Sequence, residues 1–128
     1  MNFLPIVATF VTVIIIDLIW LGYVAKDFYT NQLSAFSRSL NIHAAFLSYL
    51  LIVLGVYFFS FPKAGGNLQA GLKWGFMFGI ILYGVYDLVN LATLKGWTLK
   101  MTIVDMLWGG VICSVATVLM IYFSRFSA

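Results

Sequence analysis

Charge is scarce in this 128-residue chain. Only 9% of residues are charged, with four aspartates, no glutamate and one histidine, against 63% hydrophobic residues. Such a composition, with a mean hydropathy of +1.05, excludes a water-soluble domain and fits a chain dissolved in a bilayer. The seven Lys and Arg form no run or stripe, so the net charge of +3 gives no footprint for nucleic acid. The lone cysteine, Cys113, excludes an internal disulfide and carries no compartment signal. One histidine and one distant cysteine also rule against a zinc site. Carboxylates could hold a hard cation such as Mg²⁺, but no spacing signature asks for a metal, and the sequence names no cofactor.

What is present is four long apolar runs, at about residues 3–25, 42–61, 68–94 and 101–123. A transmembrane helix needs about 20 residues to cross about 30 Å of hydrocarbon, so four crossings nearly exhaust the chain as one transmembrane domain. The first run lacks a basic leader and a small-residue cleavage pattern and is expected to stay as a helix. Pro62 and the Gly65-Gly66-Asn67 turn are expected to stop the second run. The short connection from Lys95 to Lys100 makes the last two helices a hairpin. Between the first and second runs, Tyr29, Leu33, Phe36 and Leu40 recur at helical spacing among polar residues. Residues 27–41 are therefore expected to form an amphipathic helix in the headgroup plane, and the fold class to be an all-α integral membrane four-helix bundle carrying that helix.

Three of the four aspartates lie inside apolar runs, each followed three positions later by Trp or Asn: Asp17 and Trp20, Asp87 and Asn90, Asp105 and Trp108. A carboxylate in hydrocarbon costs about 2.5–3.5 kcal/mol on insertion scales, so three need a reason. If the chain enters on side A, side B holds the first and third connections. Counting residues at 1.5 Å each then places all three aspartates roughly 7–12 Å below the side-B boundary. His43, at the start of the second run, opens on the same side. Tyr83 precedes Asp87 by four and Tyr86 precedes Asn90 by four, so indole, phenol and amide donors share helix faces with the acids. Gly71, Gly75 and Gly79, and the ridge Asp105, Gly109, Cys113, Thr117, are small-residue faces suited to close helix packing. Asp17 to Gly22 and Asp105 to Gly110 share Asp, Trp and Gly at equal offsets, a match suggestive of a pseudo-symmetric site.

The stretches Asp17 to Gly22 with Ala25 to Tyr29, Tyr86 to Leu94 with Gly96 and Trp97, and Asp105 to Gly109 resemble the small bacterial membrane proteins grouped as domain-of-unknown-function family 2177. The resemblance covers nearly the whole chain. It implies a four-helix protein of the bacterial inner membrane and supplies no activity.

Three functions fit the residues. The first is binding or proton-coupled transport of a small amphiphilic or cationic ligand by Asp17, Trp20, His43, Tyr83, Tyr86, Asp87, Asn90, Asp105 and Trp108, with aromatic faces attracting the cation. A chain this small would need to form a homodimer to build a pathway. The second is a lipid- or quinone-modifying enzyme or accessory subunit, in which Lys26, Arg38, Lys95 and Lys100 anchor an anionic headgroup of a membrane lipid. The third is a structural or partner-binding role, the aspartates acting as hydrogen-bond glue between helices. The positive-inside rule leans toward a cytoplasmic side B, which carries four of the seven cations.

Overall fold

The helices begin where side chains can take the place of missing carbonyl partners. In this computed structural model, which describes residues 3–126, the Ala44 N–H donates to Asn41 Oδ1, the Ala70 N–H to Asn67 Oδ1 and the Met101 N–H to Thr98 Oγ1, at 3.1, 2.9 and 3.0 Å. Each bond satisfies one orphan donor of a first turn, which matters most where no water can do so. The first helix, α1 (Leu4–Ile19), has Pro5 in its opening turn, where the absent N–H is not missed. It runs on as a π-helical turn, Trp20–Val24, closed by the Ala25 N–H on the Trp20 carbonyl at 2.8 Å.

The short helix α2 (Lys26–Gln32) follows, then α3 (Ile42–Gly55), a second π-helical turn (Val56–Ser60), α4 (Phe61–Ala64), α5 (Leu68–Thr93) and α6 (Leu99–Ser124). The second π turn has a cause in the sequence. Pro62 has no N–H, and its ring would collide with the carbonyl four residues earlier, so the helix widens just before it. The helical path then passes Pro62 and ends at Ala64 against Gly65, whose φ is 58°.

Among the described residues four helices are long and apolar enough to cross a membrane: Leu4–Val24, Ile42–Ala64, Leu68–Thr93 and Leu99–Ser124. The protein is an all-α membrane bundle. The connecting helix expected over residues 27–41 is present but short, ending at Gln32. Beyond it the Ser34 hydroxyl donates to the Asn31 carbonyl at 2.9 Å, a side-chain bond that competes with the next backbone turn. From there Phe36 packs on Trp97, 5.9 Å between ring centres, and the chain crosses to α3 without helix.

The fourth span is the central one: half of its most apolar stretch is buried, against 17% for the second span. α6 packs along α5 on one side and against α1 on the other. The contact with α5 is backbone to backbone. A Cβ at Gly79 would lie 2.0 Å from the Gly109 carbonyl oxygen, and one at Gly109 would lie 2.2 Å from Cγ of Tyr83. Two glycines thus bring the helices together and leave a hollow in α6 that seats the Tyr83 ring. The second span meets α5 through its lower turns, Val56–Ala64, rather than through α3. The two spans therefore close toward side A and part toward side B.

Candidate functional site

Asp17 on α1 is almost fully enclosed and fully provided for. Trp108 Nε1 donates to its Oδ1 at 2.8 Å, and the Tyr49 hydroxyl of α3 donates to Oδ2. Three spans are tied at this one carboxyl.

Asp105 on α6 is held from an unexpected direction. The Tyr29 hydroxyl donates to its Oδ1 at 2.8 Å while accepting from Trp20 Nε1 at 3.2 Å. Tyr29 lies on α2, and only 6% of it is exposed: it turns inward from the interfacial helix and plugs the side-B end of the bundle. Burial, and then the charge of Asp105, push its phenol above the ordinary value near 10, so it remains a neutral donor.

The two Asp-x-x-Trp motifs therefore do not pair internally, as their spacing within one helix suggests. They pair crosswise. Trp108 of the fourth span serves Asp17 of the first, and Trp20 of the first reaches Asp105 of the fourth through Tyr29. The two indoles stack almost parallel, 4.2 Å between centres and 5° between planes. Offset stacking of this kind adds about 0.5–1.5 kcal/mol beyond area burial. The crossing follows from helix direction: α1 and α6 run antiparallel, so equal offsets from the two aspartates point past each other.

Asp87 on α5 is the exception. It is 0% exposed, yet neither carboxyl oxygen has a hydrogen-bond partner among the described residues. The neighbour bearing most directly on it is the carboxyl of Asp105. Two facing carboxyls offer each other only acceptors unless one carries a proton.

Beside this layer, where the second and third spans part, is a pocket of about 430 Å³ lined by Ser48, Leu51, Ile52, Leu82, Tyr83 and Tyr86. Tyr83 stands between it and the acids, within the fields of both Asp17 and Asp105. Tyr86 is 57% exposed and sits edge-on to Trp97 at 6.1 Å, four residues before Asn90 on the same helix. No cluster of three metal-ligating side chains occurs among the described residues.

The chain belongs to the predicted membrane protein family DUF2177, whose model matches residues 2–122. No curated protein and no solved structure matches it. Membership fixes a membrane protein of unknown function, and the residues themselves must carry any finer statement.

Of the residues singled out by sequence, Asp17, Trp20, Asp105 and Trp108 meet in one network, and Asp87, Tyr83, Tyr86 and Asn90 lie next to it. His43 does not join them. It is exposed in the first turn of α3 and makes no hydrogen bond to any of the acids. Lys26, Arg38, Lys95 and Lys100 are all exposed at the side-B end, with Lys100 Nζ 5.8 Å above the Phe28 ring.

Two site residues escaped the sequence reading. Tyr49 lies seven residues into the second span, and the same depth count that grouped the aspartates places it at their level. Tyr29 gave no such signal, because a tyrosine on the apolar stripe of a connecting helix looks like packing.

Proposed function

We propose that this protein binds a membrane-dissolved amphiphile in the side-B crevice between its second and third spans, and that the buried carboxyls exchange a proton as the ligand enters or leaves. The crevice itself carries the proposal. It is mostly apolar, lies at the depth of the acid layer, and two of its lining residues, Tyr83 and Tyr86, feel the charge of the acids. A pocket that is apolar along its length with a few polar groups at one end suits a ligand of the same construction.

The setting we propose for this chemistry is a bacterial inner membrane, with side B facing the cytoplasm. Asp17 has a second role, supported by its two donors: it ties α1, α3 and α6 together as interhelical glue. Acid–base catalysis draws less support, since the one histidine stands apart from the carboxyls.

The test uses Leu51→Trp, which fills the crevice from a face that is 68% exposed and so leaves the bundle core untouched. Wild-type protein in nanodiscs is expected to rise in melting temperature with total membrane-lipid extract, and Leu51→Trp to lose most of that rise while melting normally without extract. An equal response from both proteins, or none from the wild type, would overturn the proposal.

A further inference from the structure

The crevice ligand's head can be narrowed from the hydrogen-bond inventory of the acids, on the footing that the crevice is a binding site. Asp17 needs nothing more, since both of its oxygens have donors. Asp105 receives one, from Tyr29. Asp87 receives none, although it is wholly buried. The local shortage is therefore of donors, and it is confined to the Asp87 and Asp105 side of the site. The side-B cations do not fill it: Lys26, Arg38, Lys95 and Lys100 are exposed at the end of the bundle, and Lys63, Lys73 and Arg125 belong to side A.

We infer that the ligand's head is an N–H-bearing organic cation, a primary or secondary ammonium on an apolar chain, recognised jointly by Asp87 and Asp105. Anionic, carbonyl and quaternary heads fail on the same inventory, and a hydroxyl brings one donor without the charge. An anionic head meets carboxyls and no cation. A quinone or ester offers more acceptors where acceptors are already in surplus. A quaternary ammonium brings charge but no N–H, and leaves the Asp87 oxygens unpaired. A primary ammonium brings three donors and a positive charge together, the combination that a charge-assisted bond to carboxylate requires. The approach runs past Tyr86, which lines the crevice, directly precedes Asp87 and feels the charge of both acids. Its exposed ring presents a face that attracts the cation on the way.

Four probes that share a dodecyl chain separate this inference from the crevice proposal beneath it: dodecylamine, dodecyltrimethylammonium, dodecanol and dodecanoate. Their binding would be measured at pH 7 by melting-temperature shift and tryptophan fluorescence in nanodiscs. Charge-assisted hydrogen bonds contribute about 1.5–3 kcal/mol, so wild-type protein is expected to bind dodecylamine at least about tenfold more tightly than dodecyltrimethylammonium. Asp87→Asn should erase that preference. Equal binding of the two cations by wild-type protein, or a preference that survives in Asp87→Asn, would overturn the inference whatever the variant's stability. If dodecanol binds and Leu51→Trp blocks it while the head group makes no difference, the crevice stands and only the ammonium inference falls. If no probe binds, both fall.

Discussion

Asp17 and Asp87 are the same residue at the same depth in the same bundle, and their surroundings are opposite. Asp17 has an indole on one oxygen and a phenol on the other. Asp87 has a second carboxyl for a neighbour and no donor on either oxygen. Burial alone does not separate them, because both are closed off from the surroundings. The donors do. A buried carboxyl with its partners in place holds helices together, whereas one without them weakens the fold unless something else supplies the missing donor or a proton. Natural proteins keep such costs where a site needs them, and this contrast is why the proposed ligand chemistry rests on Asp87 and not on Asp17.

The sharpest way to break the comparison is to remove the satisfied acid. Asp17→Ala strands the Tyr49 hydroxyl and the Trp108 N–H inside the bundle. Each unpaired buried donor costs about 1–3 kcal/mol, so a loss of at least about 2 kcal/mol is expected, read as a clear drop in melting temperature in nanodiscs. If Asp17→Ala melts like the wild type, the carboxyl is not the tie between α1, α3 and α6.

Next in size is the close approach that sets Asp87 against Asp105. Gly79→Ala would place a methyl 2.0 Å from the Gly109 carbonyl oxygen, a clash between backbones that no rotamer can relieve. Overpacking of this kind costs about 1–3 kcal/mol. Gly22→Ala is the control, since its Cβ would meet nothing within 4 Å. Equal melting temperatures for the two alanine variants would mean that α5 and α6 are not packed through Gly79.

The span architecture was open to reading because hydrophobic length is a direct consequence of bilayer thickness, and the three acids stood out because charge is rare in such runs. Partnership was harder to read. Residues three apart on one helix are the natural first guess, yet Asp17 and Asp105 each take a donor from another element, and crossed pairing depends on helix rotation that spacing does not encode. Tyr49 is hidden for a related reason, since in an apolar run a phenol looks like a phenyl until its hydroxyl is placed, and Tyr29 reads as one member of the apolar stripe of the connecting helix. The extent of α2 was misjudged because Ser34 favours its own side-chain bond over another helical turn. His43 shares the side of the acids by residue count, yet the first turn of α3 leaves it outside, exposed.

A smaller effect is expected at Tyr29, the donor to Asp105. Tyr29→Phe removes a donor from Asp105 and an acceptor from Trp20, for about 1–2 kcal/mol. Its pH dependence has a definite sign. Because the folded-state phenol titrates above its ordinary value, its contribution is fully present below pH 10 and is lost as pH rises beyond that, where the unfolded chain ionises first. The gap in stability between wild type and Tyr29→Phe should hold constant from pH 5 to 9 and shrink above about pH 10. A gap that widens at alkaline pH would contradict a buried neutral phenol.

The smallest change is expected where a conventional view of buried charge expects the largest. Asp87→Asn keeps the shape of the side chain and replaces one orphaned acceptor with an amide that can donate to Asp105. The unliganded protein should therefore melt at or slightly above the wild-type temperature, in contrast to the loss from Asp17→Ala. The pair of measurements is informative because the two positions share depth, burial and residue type, so a common cause such as charge in hydrocarbon would move them together. Only the presence of donors at one and their absence at the other predicts opposite behaviour, and a marked destabilisation by Asp87→Asn would show that Asp87 has a structural partner in the folded protein.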